Sequence, residues 1–179
     1  MVLSKYLLRK HPDVLKGSMS VLLRIVELGA GGGLVGLALA LHTKNLPSPP
    51  DIYITDQLPM HALMLANITL NAPLNHIHAV TYNWGTPPPP SLPSTPSLVL
   101  AADCVYFEPA FPLLLATLGD LLASEETVCY FCFKRRRRAD LGFVRMARKR
   151  FGVEEVGDDG EFGVWRREKL FLYKITKKV

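Results

Sequence analysis

The stretch "RIVELGAGGGLVGLAL", residues 24–39, decides the fold of this chain of 179 residues. Its first part is a short apolar run that ends in an acid, four glycines stand among residues 29–33, and a second apolar run follows at helical spacing. A strand that turns directly into a helix brings the free N–H groups of the helix to the carboxyl edge of a sheet, and glycine lets a ligand approach that backbone closely. The stretch therefore predicts a strand, a ligand-binding loop and a helix.

Outside this stretch, β-type runs alternate with helical stretches along the chain. The predicted strands are 23–28, 52–56, 77–82, 98–102 and 127–133, and the predicted helices are 33–44, 60–71, 110–123 and 139–150. Such alternation favours an α/β fold with a mostly parallel sheet covered on both faces. After Arg150 two more strands, joined by a Gly/Asp-rich connection without a helix, predict an antiparallel hairpin that ends the sheet. We expect residues 1–179 to form a single domain.

The first residues of the chain predict an amphipathic helix. Leu3, Tyr6 and Leu7 fall on its apolar side, and Val14 and Leu15 continue that side beyond an interruption near Pro12.

Composition narrows the class of protein. The net charge of +5 suits an acidic partner but does not identify one. Three cysteines are too few for a disulfide framework, and their odd number argues for a reducing compartment. The cytoplasm or the nucleus suits this, and we expect the cytoplasm. No apolar stretch approaches the roughly 20 residues of a membrane span, and no secretory signal pattern begins the chain. We therefore expect no contact with a membrane. As a separate expectation, the protein is a monomer.

Two sets of potential metal ligands are better explained without a metal. Cys129 and Cys132 form C-x-x-C, but on a strand this spacing sends their side chains to opposite faces. His76 and His78 share one strand face, yet no third ligand stands near them, so we expect surface histidines. The sequence predicts no metal site.

The ligand of the glycine loop has two candidates. Gly31, Gly33 and Gly36 match G-x-G-x-x-G, which leaves an NAD-linked oxidoreductase open. Asp56, at the end of the second strand, can accept both hydroxyls of an adenosine ribose in NAD or in S-adenosylmethionine; its alternative role is a helix N-cap. Glu27 would repel a pyrophosphate but tolerates the zwitterionic tail beside a sulfonium. This acid favours S-adenosylmethionine.

Four segments then carry a family resemblance: "VELGAGGGLVGLAL", "ITDQLPMHALMLANITLN", "YNWG" and "LVLAADCVYFEPAFPLLLATL". Because these segments follow one another in the family's order and spacing, the chain resembles the methyltransferase-like 21 group of seven-strand protein-lysine methyltransferases. Within that group it resembles most closely the fungal elongation-factor methyltransferase 6 branch. The resemblance runs from the first residue to the last. It implies a three-layer Rossmann-like class I methyltransferase fold, and an S-adenosyl-L-methionine-dependent protein-lysine N-methyltransferase that acts on an elongation factor or a similar folded protein.

The resemblance also implies contacts with the cofactor. These fall on Gly29, Ala30 and Gly31 in the loop, on Asp56 for the ribose, on Trp84 beside the adenine, and on Ala102 at the end of the fourth strand. An ordinary core tryptophan is the alternative for Trp84.

The chain departs from the family in two places. Gly32 stands where the family usually has Thr or Ser, so we expect a looser loop. The family's N-terminal stretch, which carries a tryptophan, precedes the segment that matches "VLSKYLL", at which this chain begins. The expected result is a cofactor pocket open on one side, and a non-catalytic binding module is the corresponding alternative function.

The segment "ADCVYFE", residues 102–108, is the candidate acceptor site, because it leaves the fourth strand at the same sheet edge. A lysine must lose a proton before its nitrogen can attack a sulfonium methyl group. We expect Asp103 to orient the amine through a hydrogen bond and Tyr106 to pack against the lysine stem or head. The alternative is that Asp103 caps the following helix and Tyr106 belongs to the core.

The run "KRRRRAD", residues 134–140, places five cations just before a helix, where the helix dipole disfavours them. The sequence leaves open a solvated rim and a surface that binds an acidic protein substrate or RNA. Residues 134–138 are the only part of the sequence that points to nucleic acid, and a methyltransferase for RNA or small amines stays open through them.

Overall fold

The computed structural model describes residues 2–10 and 23–178, and within them a mixed sheet has seven strands. The strands are β1 (Arg24–Leu28), β2 (Asp51–Asp56), β3 (Ile77–Thr81), β4 (Leu98–Ala102), β5 (Val128–Lys134), β6 (Phe151–Glu155) and β7 (Leu170–Lys177). Their order in the sheet is β3-β2-β1-β4-β5-β7-β6. Strands β1 to β5 pair in parallel, and β7 pairs antiparallel with both β5 and β6. The predicted fold class is confirmed.

Helices cover both faces of this sheet. They are α1 (Val2–Lys10), α2 (Leu34–Thr43), α3 (Leu58–Leu70), α4 (Phe111–Leu121), α5 (Arg138–Arg150) and α6 (Phe162–Arg167), and a 3-10 turn (Glu108–Ala110) precedes α4. One core lies between the sheet and α4 and α5, where Phe131 stacks on Phe143 with ring centroids 4.9 Å apart. The other core joins α1, α2, α3 and α6 to the opposite face through residues such as Leu7 and Met64.

The central strands are apolar because both of their faces are buried, as parallel strands in an α/β protein require. In register, Leu28 of β1 pairs with Thr55 of β2 and with Ala101 of β4. The strands run parallel, so the residues that follow β1, β2 and β4 all emerge at one edge of the sheet. This edge carries every candidate site residue.

The final hairpin is confirmed, but the prediction that its connection lacks a helix was wrong. Helix α6 lies between β6 and β7, and β7 is inserted between β5 and β6. The helix has no side-chain cap, so no start signal marked it in the sequence. It is held instead by tertiary contacts: Trp165 packs edge-on against Tyr6 of α1, and Arg9 binds Asp159 and Glu161.

The expectations for the N-terminal helix and for the two cysteines of β5 can be compared with the structure. Leu3, Tyr6 and Leu7 are buried on α1, as predicted, whereas Pro12, Val14 and Leu15 lie outside the described residues. Cys129 and Cys132 face opposite cores, as predicted.

The prediction of a surface position for His76 was wrong. Its side chain is 8% exposed because it packs beneath α2, with Nε2 lying 3.2 Å from the Ala40 carbonyl oxygen. His78 lies nearer the surface, with Nε2 3.6 Å from an Asp51 carboxylate oxygen. Over the ranges 2–10 and 23–178, no helix has the length and apolar character to cross a membrane.

Candidate active site

The glycine loop, residues 29–33, connects β1 to α2 and is tied to β2. Ala30 donates its backbone N–H to the carbonyl of Thr55 at 2.9 Å, and the Thr55 hydroxyl donates to the carbonyl of Glu27 at 2.7 Å. Gly31 has φ +56°, and a Cβ built on it would meet no atom within 4 Å. The left-handed backbone favours glycine here, and the missing side chain leaves open space. A ligand can therefore approach the Gly31 backbone directly.

Asp56 ends β2 beside this loop. One carboxylate oxygen accepts the N–H of Gly31 at 2.7 Å, and the other accepts the N–H of Gln57 at 2.7 Å. The N-cap position of α3 is Gln57, with no side-chain cap bond. The alternative in which Asp56 caps the helix is thus wrong, and its carboxylate belongs to the site edge.

Glu27 is buried beneath the loop. Its Oε2 accepts the N–H of Gly36 in the first turn of α2 at 2.7 Å. Burial raises the pKa of Glu27 to about 7, with a smaller contribution from the charge of Asp56, against the opposing effect of hydrogen bonds from Gly36 and Val35. The acid that the sequence placed at this strand end therefore changes its charge close to neutral pH.

A first cavity of about 60 Å³ opens on one side of the loop. It is lined by Gly29, Asp56, Gln57, Tyr82, Trp84, Cys104 and Tyr106. Trp84 lies so close to Gly29 that a Cβ there would stand 2.8 Å from the indole ring. Trp84 also packs against the core. It therefore lines the cavity, as a contact with the adenine would require, and at the same time belongs to the core, as the alternative predicted. The sequence reasoning did not single out Gln57, Tyr82 and Cys104, although each lies inside one of the quoted segments.

A second cavity of about 380 Å³ opens on the other side of the loop. Its walls come from α1, the β1–α2 unit, the end of β4, β5 and β7: Val2, Leu3, Glu27, Ala30, Leu34, Val35, Ala102, Asp103, Cys132, Phe133, Lys134, Arg136 and Leu170. Most of these walls are apolar. Glu27 and Asp103 supply acidic groups, and Lys134 and Arg136 supply basic ones.

Asp103 follows β4 with φ +63°, and its backbone N–H donates to the carbonyl of Cys132 at 2.7 Å. Its carboxylate accepts two hydrogen bonds from Arg136, at 2.8 and 2.7 Å. Tyr106, three residues on, is 66% exposed. The alternative of a helix cap and a core tyrosine is therefore wrong for both residues.

The structure brings the predicted residues to one edge but divides them between the two cavities. Gly29, Asp56, Trp84 and Tyr106 line the first. Ala30, Ala102 and Asp103 line the second. Gly31 lies at the loop between them, and the predicted pair Asp103 and Tyr106 is thus split.

The arginine run has a role that neither prediction contained. Arg136 binds Asp103, and Arg137 donates to the carbonyl of Tyr106 at 2.6 Å. Asp140 accepts the backbone N–H groups of both arginines, which anchors the turn between β5 and α5. Because β4 and β5 are parallel neighbours, the residues that follow them meet at the same edge. The sheet order was the signal that could have predicted this contact.

Gly32 is also held by a contact that the sequence did not show. The amide of Asn67 on α3 donates to the Gly32 carbonyl at 2.8 Å, and a Cβ on Gly32 would stand 2.9 Å from that amide nitrogen. The absence of a side chain at this position therefore lets α3 approach the loop.

Two relatives of known class align with most of the chain. The protein-lysine N-methyltransferase EFM6 of Saccharomyces cerevisiae is 33% identical over 99% of this chain and 78% of its own length. The mouse EEF1A lysine methyltransferase 3 is 34% identical over 79% of this chain and 59% of its own length. The chain thus spans only part of each relative.

Solved structures show the same fold. The apo S-adenosylmethionine-dependent methyltransferase SibL superposes with a TM-score of 0.61 and 14% identity, over 99% of this chain and 55% of its own. The class I methyltransferase fold expected from the sequence is confirmed.

S-adenosylmethionine is the cofactor implied by this family and fold, and the residues fit it. The open space at Gly31 admits a ligand to the loop backbone, Asp56 offers an acceptor-only carboxylate, and Trp84 offers a flat apolar face. The first cavity alone is smaller than the 300 Å³ or so of a typical ligand site, and Gln57 and Tyr106 are its exposed lining residues.

The comparison with family models agrees with these relatives. Residues 1–150 match the model described as lysine methyltransferase, and they include the glycine loop, Asp56, Asp103 and the arginine run. The chain belongs to the lysine methyltransferase family.

Proposed function

We propose that this chain transfers a methyl group from S-adenosylmethionine to a lysine nitrogen of a folded protein, with a translation elongation factor as the first candidate substrate. The proposal rests on one observation above all: the glycine loop, Asp56 and Asp103 converge at one sheet edge, with cavities on both sides of the loop.

On the cofactor side, Asp56 would accept the ribose hydroxyls, and Trp84 would contact the adenine. Gly29, Ala30 and Gly31 would contribute backbone groups, and the small side chain of Ala102 leaves the second cavity open. Bound S-adenosylmethionine supplies a sulfonium methyl group, which passes to an amine as the new C–N bond forms and the C–S bond breaks to leave S-adenosylhomocysteine.

On the acceptor side, Asp103 would accept a hydrogen bond from the target amine and so aim its nitrogen. Tyr106 and Phe107 follow Asp103 by three and four residues and are 66% and 57% exposed, and their aromatic faces suit the methylene stem and cationic head of a lysine. Burial, and then the charge of Asp56, raises the pKa of the Tyr106 hydroxyl, which therefore stays neutral. Aromatic residues are enriched in protein–protein interfaces relative to the rest of the surface.

The name of the mouse relative supports the choice of substrate, since that protein is described as acting on EEF1A. All three cysteines are free, which suits the reducing cytoplasm in which elongation factors work.

The test is to incubate the purified chain with S-adenosylmethionine labelled on the methyl group and with purified elongation factor or a cell extract. We expect label in a protein band that protease removes and nuclease leaves intact, and lysine methylation by mass spectrometry. Asp103→Asn is the matched control, with little label expected. Label removed only by nuclease would favour the RNA methyltransferase, and cofactor binding without transfer would favour the non-catalytic module.

A further inference from the structure

The ion pair between Arg136 and Asp103 has a consequence for the proposed reaction. We propose that Arg136 is a positioning residue that neutralises Asp103, so that this carboxylate orients the substrate amine without holding it in the protonated form. This inference rests on the proposed function and adds to it one residue of the arginine run.

Both partners of the pair are held by their own backbone. Asp103 has a left-handed backbone fixed by the hydrogen bond from its N–H to Cys132, so its carboxylate leaves β4 in one direction. The Arg136 N–H binds Asp140, a buried carboxylate at the start of α5. Burial acts to raise the pKa of Asp140, but the N–H groups of Arg137 and Arg136 outweigh it and lower that pKa. The anchor is therefore an anion at neutral pH.

The two hydrogen bonds of the pair form a fork. Nη1 and Nη2 of Arg136 each reach a different oxygen of Asp103, at 2.8 and 2.7 Å. A carboxylate has about four lone-pair positions, and the fork uses only one on each oxygen. Asp103 thus retains positions that can accept an amine N–H. The hydrogen bond to Asp103 raises the pKa of Arg136, which stays charged.

An uncompensated carboxylate would hinder methyl transfer. An anion within a few ångströms of an ammonium group stabilises the protonated form, whereas the reaction needs the neutral amine. With Arg136 bound, the pair carries no net charge while its geometry is kept. The carboxylate then directs the amine without raising the pKa of the substrate ammonium group.

Other charged or titratable groups surround the pair. They are Glu27 and Asp56 at the ends of β1 and β2, Cys104 and Tyr106 on the same loop as Asp103, Cys132 and Lys134 on β5, and Arg137 and Asp140 beyond it. Arg137 is bound to Asp140 and to the Tyr106 carbonyl. Lys134 lines the cavity but makes no contact with Asp103 that the structure describes. Arg136 is thus the cation that directly pairs with this carboxylate.

The test is the pH dependence of kcat, measured with saturating cofactor and protein substrate. For Arg136→Gln we expect the midpoint of the rising limb to move up by about one pH unit, because Asp103 then stabilises the ammonium form. The side chains of the pair are 51% and 47% exposed, so the shift should shrink at high salt. Asp103→Asn should lower kcat and move the midpoint down, and the double variant should return it close to the original value.

Two further variants separate charge from geometry and from general destabilisation. Arg136→Lys keeps the charge but loses the fork, so kcat should fall while the midpoint stays in place. Arg138→Gln removes one charge from the same run without touching Asp103, and its midpoint should not move. Thermal unfolding of each variant verifies the fold, and the downward midpoint shift of Asp103→Asn carries the test if the Gln variant fails to fold.

The outcomes distinguish the two proposals. If the unmodified chain transfers no methyl group to protein, the proposed function is wrong and this inference is wrong with it. If the unmodified chain is active but Arg136→Gln keeps its midpoint, or Arg136→Lys shifts it as far as Gln does, then Arg136 has only a structural role and the inference alone is overturned.

Discussion

The two cavities at the site edge are built in different ways. The first is formed by chain segments that directly follow β1, β2, β3 and β4, and the carboxylate of Asp56 accepts the backbone N–H of Gly31 there. The second depends on side chains from segments far apart in the sequence, with Arg136 reaching Asp103 across 33 residues. The proposed ribose carboxylate, Asp56, thus lies in a cavity formed at the ends of the parallel strands, whereas the proposed amine-orienting carboxylate, Asp103, lies in one that also needs α1, β5 and β7.

The strongest test of this division compares Asp56 with Asp103. Asp56→Ala should weaken S-adenosylmethionine binding by about 100-fold, because two charge-assisted hydrogen bonds to the ribose, each contributing about 1.5 kcal/mol, are lost. Asp103→Asn should leave the Kd unchanged. Isothermal titration calorimetry measures both, and equal losses in the two variants would mean that the two cavities do not divide the work in this way.

A second test uses the buried acid beneath the loop. The pKa of Glu27 is raised to about 7 in the folded protein, so its stabilising contribution is present below its unfolded value and is lost as the pH rises through 7. Between pH 5 and pH 8 the unmodified chain should lose about 2 kcal/mol of unfolding free energy that the Glu27→Gln variant keeps, because glutamine does not ionise. Urea unfolding at the two pH values measures this change, which should vanish if Glu27 ionises normally.

The smallest effect concerns two glycines of the loop with the same left-handed backbone. Gly31→Ala should destabilise the fold by only about 1–2 kcal/mol, the cost of a left-handed alanine, and should weaken cofactor binding because its methyl group enters the ligand space. Gly29→Ala should destabilise the fold more, because its Cβ would press on Trp84 and Cys104. Thermal unfolding without cofactor ranks the two, and the reverse ranking would mean that the open side of the loop is not at Gly31.

Features that depend on residues close together in the sequence could be predicted, whereas features that depend on the assembled fold could not. Strand and helix periodicity is local, and so is the link from Glu27 through the glycines to Asp56, which is why the sheet and the position of Asp56 beside the glycine loop could be predicted. The burial of His76 depends on α2 crossing over it, and α6 depends on Tyr6 and Arg9 from the other end of the chain. The Arg136 contact requires β5 to lie beside β4. No local pattern carries such information.

The insertion of β7 between β5 and β6 has a consequence for the newborn chain. Strand β5 leaves the ribosome with an apolar edge that β7 pairs along its whole length, from Val128 with Thr176 to Lys134 with Leu170. Until that last strand is translated, the edge stays open to wrong partners, and the turn bearing Arg136 has no finished support. The proposed acceptor side is therefore completed only after β7 has been made.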